Sequence, residues 1–176
     1  YKCLLLHIQN QAAFLTFLTA GFPAKDDTPE LLMALERGGA DVIELGMPFS
    51  DPQADGPAIQ ESNRIALQQG VDYAMCLKYI KEARSRGLKV PVVLMGYYNP
   101  IMAYGEERAV HDAKYAGANG FILVDLLPEE AGTFLNACRR EKMAFVPLIA
   151  PTTDVNRIRY LSSLADAFIY VVSRLG

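Results

Sequence analysis

The chain has 176 residues, of which 51% are hydrophobic and 21% charged, and its formal net charge is -3. This balance predicts one soluble globular domain over residues 1–176 with a sizeable core, and it excludes extensive disorder. A slightly acidic chain offers no basic field for nucleic acid, so a small molecule is the expected ligand. The three cysteines, Cys3, Cys76 and Cys138, have no C-x-x-C spacing, and the apolar run at residues 3–8 is too short to span a bilayer. We therefore expect a cytoplasmic protein with no metal site and no membrane contact.

Six short apolar runs alternate with stretches of helical period, and they predict strands over residues 13–19, 42–46, 91–97, 120–125, 145–150 and 168–173. Strand–helix repeats of this length need parallel strands joined by right-handed crossovers, as in a closed barrel or an open doubly wound sheet. Periodicity does not separate these two folds. Because no G-x-G-x-x-G or P-loop motif follows any strand, the α/β class with a TIM (β/α)8-type barrel is favoured, with about six βα units present.

Four residues mark predicted helix starts. Asp27 and Glu30 have the spacing of a capping box, while Asp72 and Asp154 each precede an apolar stripe of helical period. These residues predict helices that begin near 28, 73 and 155.

Glu44 interrupts an apolar strand and, by alternation, shares a face with Val42 and Gly46. If that face lines the barrel, the carboxyl is buried at the barrel mouth. Burial raises the pKa of an unpaired carboxyl, which suits a general acid near neutral pH. The alternative is a structural Glu on the helix-facing side of the strand.

The loop over residues 47–57 contains three prolines and two aspartates and is too long for an ordinary strand–helix turn. In either fold, loops at the carboxyl ends of the strands converge on the active face, which makes Asp51 and Asp55 candidates for function. The alternative is turn chemistry for both aspartates, with Pro57 as the first residue of the next helix.

The last apolar run contains Tyr170, which is either a core residue or a site residue, and it is followed by Arg174, a candidate anion ligand or a solvated side chain. His7 and His111 have no nucleophile motif beside them and are interpreted as solvated or structural.

The sequence of residues 44–52, ELGMPFSDP, followed by ADGP at 54–57, resembles the signature of the tryptophan synthase α chain family. Further similarities to this family lie at residues 17–21, 95–100, 124–130, 148–152 and 170–174. The amino-acid sequence most resembles the fungal form, in which the α region is fused to the β region. The resemblance implies a TIM barrel lyase that cleaves indole-3-glycerol phosphate to indole and glyceraldehyde 3-phosphate by a retro-aldol reaction in L-tryptophan biosynthesis. No cofactor is implied for this reaction, because pyridoxal phosphate belongs to the β part.

The resemblance also implies roles for individual residues. Glu44 would be the acid and base, Asp55 would receive the indole N–H, and Tyr170 would line the site. Substrate-binding positions would be Phe17, Tyr97, Ile122, Leu148 and Arg174. Positions near the contact with the β partner would be Pro48, Asp51, Pro52 and Asn99.

The chain departs from the family in offering six βα units where the barrel has eight. The phosphate-binding loops of such barrels typically follow strands seven and eight. This predicts open barrel edges that favour self-association, and it keeps a second interpretation open: a catalytically silent fragment that acts only as an interaction surface for a β-type partner. A third interpretation, an indole-glycerol-phosphate synthase, would need a catalytic Lys at a strand end, and Lys89 before the third strand is the only lysine at a strand edge.

Overall fold

The computed structural model describes residues 12–173. Five parallel strands form one sheet in the order in which they occur in the chain, β1 (Leu15–Thr19), β2 (Val42–Gly46), β3 (Val92–Gly96), β4 (Gly120–Leu123) and β5 (Ala144–Phe145). Two further parallel strands, β6 (Leu148–Ile149) and β7 (Tyr170–Val171), pair with each other. Each of the six predicted strand segments contains at least one of these strands, so the parallel βα pattern is confirmed.

Seven helices connect the strands within residues 12–173. They are α1 (Thr28–Arg37), α2 (Pro57–Gln68), α3 (Tyr73–Ser85), α4 (Tyr98–Tyr104), α5 (Glu106–Ala116), α6 (Gly132–Glu141) and α7 (Val155–Leu164). In this part of the chain, none of them combines the length and apolarity of a membrane span.

The predicted fifth strand is divided into β5 and β6 at Pro147. Before the proline, the Val146 N–H donates to the Phe121 carbonyl of β4 at 3.0 Å. Pro147 has no N–H, and its carbonyl instead accepts from the Tyr170 N–H of β7 at 2.9 Å. The segment therefore changes neighbours at this residue, and the wall of the partial barrel continues from β4 to β7.

Two apolar clusters lie on the two sides of the sheet. The larger cluster is between the strands and the helices and includes Ile43 and Leu45. The smaller cluster lies inside the partial barrel and is formed by Val42, Val93, Ile122 and Val146. Because side chains alternate along a strand, Glu44 shares the interior face with Val42, which excludes the helix-facing alternative for this carboxylate.

Most of the predicted helix starts are confirmed, and one is wrong in its detail. Asp72 accepts from the Met75 N–H at 2.8 Å, and Asp154 accepts from the N–H groups of Asn156 and Arg157. Asp27 precedes α1 but makes no capping hydrogen bond with its side chain, because its backbone is already in the helical region. The predicted capping box is therefore absent.

A polar clasp formed by Arg84 and Glu36 fixes the amino ends of β3 and β4. The Arg84 guanidinium donates to the carbonyls of Leu88, Val90 and Gly117 and to the Asn119 side chain, over 2.8–3.0 Å. The Glu36 carboxylate accepts from the N–H groups of Lys89 and Val90, each at 2.8 Å. This clasp lies at the opposite end of the strands from the loop over residues 47–56.

Candidate active site

The candidate site lies at the carboxyl ends of the strands, where the loops that follow β2, β3 and β6 converge with β7. In a parallel barrel these loops meet on one face, so residues distant in sequence become neighbours. A cavity of about 440 Å³ opens there, and its lining includes Asp55, Ile59, Met95, Val124, Leu148 and Tyr170.

Glu44 lies on the interior face of β2, opposite Phe17 of β1 and Val93 of β3 in the strand register. Its side chain is buried, with the residue 5% exposed, and no described residue in 12–173 pairs with or hydrogen-bonds to its carboxyl group. Burial without a compensating donor disfavours the charged form, so the pKa of Glu44 is raised from its ordinary value. Glu44 therefore keeps its proton to a higher pH than an exposed glutamate does.

Tyr170 connects Glu44 with the cavity. It packs against the interior cluster and also lines the cavity beside Asp55. Burial raises the pKa of the Tyr170 hydroxyl, and the negative charge of Glu44 raises it further. Tyr170 therefore remains neutral and can only donate or accept a hydrogen bond.

Asp55 lies in the loop between β2 and α2 and is half-buried. Its Oδ2 accepts from the Tyr97 hydroxyl at 3.3 Å and from Asn63 Nδ2 at 3.5 Å. Burial raises the pKa of Asp55, and these two donors oppose the rise. The side chain thus points to the residue after β3 and to α2 rather than to its own turn, which weighs against the turn-chemistry alternative for this residue.

Asp51 differs from Asp55 in its surroundings. It is exposed, and its carboxylate accepts only a local bond, from Gln53 Nε2 at 3.2 Å, among the described residues. Pro57 is the first residue of α2, as predicted. The turn interpretation therefore fits Asp51, whose role as a partner contact stays a prediction.

The predicted substrate-binding residues are not all in one cavity. Leu148 lines the cavity with Asp55 and Tyr170, whereas Ile122 is fully buried in the interior cluster below it. Phe17 is 37% exposed, and its ring lies over Gly46, where a Cβ atom would be 2.5 Å from Cζ of the ring.

Tyr97 and Arg174 also differ from the predicted arrangement. Tyr97 lines the neighbouring cavity, together with Phe49 and Asp125, rather than the cavity that contains Leu148. The hydroxyl of Tyr97 nevertheless donates a hydrogen bond to Asp55, which lies in the loop between β2 and α2. Arg174 lies outside the described residues.

The residues predicted to contact a β partner differ in exposure and lie in the loop after β2 or in α4. Asp51 and Asn99 are exposed, and Pro52 is half-buried. Pro48 is buried within this chain, so it has the least surface to offer a partner. Asn99 lies in α4, one residue after Tyr98, whose N–H donates to Asp125 Oδ1 at 2.7 Å.

Sequence reasoning missed Asn63. This residue is 4% exposed in α2 and donates to the carboxylate of Asp55. Its only signal in the sequence is a polar residue on the buried face of an amphipathic helix, six residues after Pro57 and beside the buried Ser62. His111, by contrast, is exposed on α5, 3.4 Å from Glu141, and within residues 12–173 no cluster of His, Cys, Asp or Glu could hold a metal ion.

Comparison with known proteins gives consistent matches. The family model of the tryptophan synthase alpha chain matches residues 5–176. Tryptophan synthase of Saccharomyces cerevisiae is 54% identical over 168 residues, which are 96% of this chain and 24% of that protein. The tryptophan synthase alpha chain of Geotalea uraniireducens is 49% identical over 168 residues, which are 96% of this chain and 62% of that protein. The chain thus spans less than two thirds of the length of either relative.

Solved structures agree with these matches. Tryptophan synthase subunit alpha from Legionella pneumophila superposes with a TM-score of 0.94 at 37% identity, over 98% of this chain and 66% of that one. A chain of the tryptophan synthase complex from Pyrococcus furiosus superposes with a TM-score of 0.85 at 39% identity, over 91% of this chain and 66% of that one. The TIM barrel class that the sequence predicted is therefore confirmed.

Proposed function

This chain belongs to the tryptophan synthase alpha chain family, and from that premise we propose that it carries the α reaction of tryptophan biosynthesis, the retro-aldol cleavage of indole-3-glycerol phosphate. The observation that carries the proposal is the pair of carboxyl groups at one strand end. Glu44 is buried without a partner among the described residues, while Asp55 lines the adjoining cavity with two hydrogen-bond donors. Two carboxyl groups in different environments can take different roles in one proton-transfer reaction.

Glu44 is proposed as the general acid and base. Cleavage of the bond between indole C3 and the glycerol chain requires a proton at C3 and removal of a proton from the adjacent hydroxyl. A carboxyl group with a raised pKa holds the first proton near neutral pH and, once ionised, accepts the second. The burial of Glu44 among Phe17 and Val93 supports this role.

Asp55 is proposed as the acceptor for the indole N–H. As C3 is protonated, the ring nitrogen becomes more acidic, and a carboxylate at hydrogen-bond distance stabilises the charge that develops. The apolar lining beside it, from Ile59, Met95 and Leu148, suits a planar aromatic ring. Tyr170 completes the lining between Asp55 and Glu44.

The reaction proposed for this chain needs no cofactor, because the bond cleaved is activated by proton transfer alone. Pyridoxal phosphate is assigned to the β part of a complete synthase. We propose a β region or subunit as the partner, in contact with the exposed Asp51 and Asn99; the match to a chain of the Pyrococcus furiosus complex supports this.

The competing function is a silent fragment that serves only as an interaction surface. It is favoured by the six βα units of this chain, since barrels of this kind bind phosphate at the loops after strands seven and eight. An indole-release assay on the full-length protein beside the 176-residue chain separates the two. Indole release by both forms supports the lyase proposal for this chain, whereas indole release by the full-length protein alone would identify the 176-residue chain as the silent fragment.

A further inference from the structure

Tyr97, the residue between β3 and α4, contacts the loop over residues 47–56 at three points. Its ring stacks on Phe49 with centroids 5.0 Å apart and planes at 27°. Its hydroxyl oxygen accepts the N–H of Ala54 at 2.8 Å and lies 3.3 Å from Oδ2 of Asp55. One side chain therefore fixes both the start and the end of the loop.

The bond from Ala54 determines where the Tyr97 proton points. A phenolic hydroxyl has one proton to give, and an oxygen that accepts a backbone N–H on one side directs that proton elsewhere. The nearest described acceptor is Oδ2 of Asp55. Burial raises the pKa of Tyr97 to about 12, so the hydroxyl keeps this proton throughout the neutral range.

Asn63 approaches the same oxygen from the other side. It is 4% exposed in α2, and its Nδ2 lies 3.5 Å from Oδ2 of Asp55. Both donors converge on Oδ2, and no residue in 12–173 hydrogen-bonds to Oδ1. These two bonds are long, as catalytic hydrogen bonds often are before the substrate is bound.

We propose that Tyr97 and Asn63 are positioning residues that hold Oδ2 of Asp55 and so turn Oδ1 toward the indole N–H. The proposal rests on the lyase function proposed above. Under this proposal Tyr97 positions Asp55 and does not itself line the substrate cavity. Its position agrees with this, because Tyr97 lines the neighbouring cavity beside Phe49. The proposal also assigns a role to Asn63, which the sequence analysis did not single out.

The positioning pair has a consequence for pH dependence. Both donors favour the ionised form of Asp55 and lower its pKa against the effect of burial, so removing either one raises it. The other titratable groups near this region are Tyr170 of β7, across the cavity, Glu44 of β2, next to Tyr170, and Asp125, near Tyr97. Neither Tyr97→Phe nor Asn63→Leu changes these groups.

The test uses Tyr97→Phe and Asn63→Leu in the full-length protein. Tyr97→Phe keeps the ring on Phe49 and removes only the hydroxyl, so it preserves the fold even if Asn63→Leu does not. Loss of one hydrogen bond to a charged group lowers kcat about 10-fold, with KM changed less than about 3-fold, because orientation matters most in the transition state. In either variant, the acidic limb of the pH profile of kcat shifts to higher pH by as much as about one unit.

Two matched controls accompany these variants. Tyr104→Phe removes a hydroxyl that bonds to Asp112 at 2.8 Å, away from the site. Gln60→Ala removes a donor to the backbone carbonyl of Asp55 at 2.8 Å, leaving the carboxylate bonds intact. Both controls keep the wild-type kcat profile if the carboxylate contacts are what matters.

A carboxyl ¹³C NMR titration of Asp55, made without substrate, separates this proposal from the lyase proposal. A higher pKa of Asp55 in Tyr97→Phe or Asn63→Leu than in the wild type supports the positioning pair. An unchanged pKa together with an unchanged kcat profile would overturn it. Absence of indole release from the wild type would instead refute the lyase function, whatever the titration shows.

Discussion

Glu44 of β2 and Tyr170 of β7 face the same interior, close enough that the charge of the carboxylate raises the pKa of the phenol. These residues are 126 positions apart, and the sheet turns through β3, β4 and β5 to bring them together. Their proximity places the candidate acid beside the cavity that contains Asp55. The following predictions depend on this arrangement.

Glu44→Gln in the full-length protein should lower kcat by about 10²- to 10⁴-fold, because an amide of the same shape carries no transferable proton. The measurement is steady-state indole release. Glu61→Gln is the matched control, since Glu61 is exposed and, among residues 12–173, pairs only with Arg64. If Glu44→Gln retained most of the turnover, Glu44 would not be the acid.

The same substitution should stabilise the protein at high pH. The folded-state pKa of Glu44 is raised above its ordinary 4.5, so the folded state holds the proton more tightly than the unfolded state does. Stability is therefore lost as pH rises from the unfolded pKa through the folded pKa. We expect the Tm of Glu44→Gln to exceed that of the wild type at pH 8 and to approach it near pH 4; a Tm difference independent of pH would contradict the burial effect.

Asp55→Asn should lower kcat by about 10²-fold or more while changing Tm little, because the amide keeps its size and its place in the loop. Circular dichroism melts and indole release on the same samples measure both effects. Asp26→Asn, an exposed substitution in the loop before α1, should change neither quantity. A loss of Tm without loss of kcat would restore the turn interpretation of Asp55.

Arg84→Ala should destabilise the fold by about 2–4 kcal/mol, since it leaves the carbonyls of Leu88, Val90 and Gly117 without their donor. Urea unfolding monitored by circular dichroism gives the free energy directly. The control is Arg139→Ala, whose side chain is exposed on α6 and should cost less than about 0.5 kcal/mol. Equal losses in the free energy of unfolding for the two substitutions would show that the hydrogen bonds of Arg84 do not stabilise the fold.

The 176-residue chain, studied alone, should self-associate. Within residues 12–173, β1 pairs only with β2 and β7 only with β6, and Phe14 and Val171 near these edges are 57% and 62% exposed. Sedimentation velocity measures the association. Val171→Lys should reduce self-association by placing a charge at the edge. If the unsubstituted chain is a monomer at every concentration, the strand edges do not mediate association.

The sequence was sufficient wherever the determinant is local or periodic. Alternation along β2 placed Glu44 on one face with Val42, and the structure shows that this face is the interior one. Apolar periodicity placed Asp72 and Asp154 at helix starts, where their side chains accept the expected N–H groups. The loop after β2 was singled out by its length, its three prolines and its two aspartates.

What the sequence left open depends on partners distant in the chain. Asp27 and Glu30 have the spacing of a capping box, yet Glu30 pairs with Arg37 and Arg86 instead. Asn63 contacts the Asp55 carboxylate only because the loop after β2 folds back onto α2. Because Pro147 has no N–H, the pairing of this segment with β4 ends there. The next pairing partner, β7, is distant in sequence and depends on how the whole sheet curves.

The clasp of Arg84 and Glu36 divides the molecule into two ends with different tolerance to change. We expect substitutions in this clasp at the amino ends of β3 and β4 to affect mainly stability, and substitutions at exposed positions of the loop over residues 47–56 to affect it little. A library randomised only at exposed positions of that loop, such as Asp51 and Gln53, should therefore yield mostly folded variants.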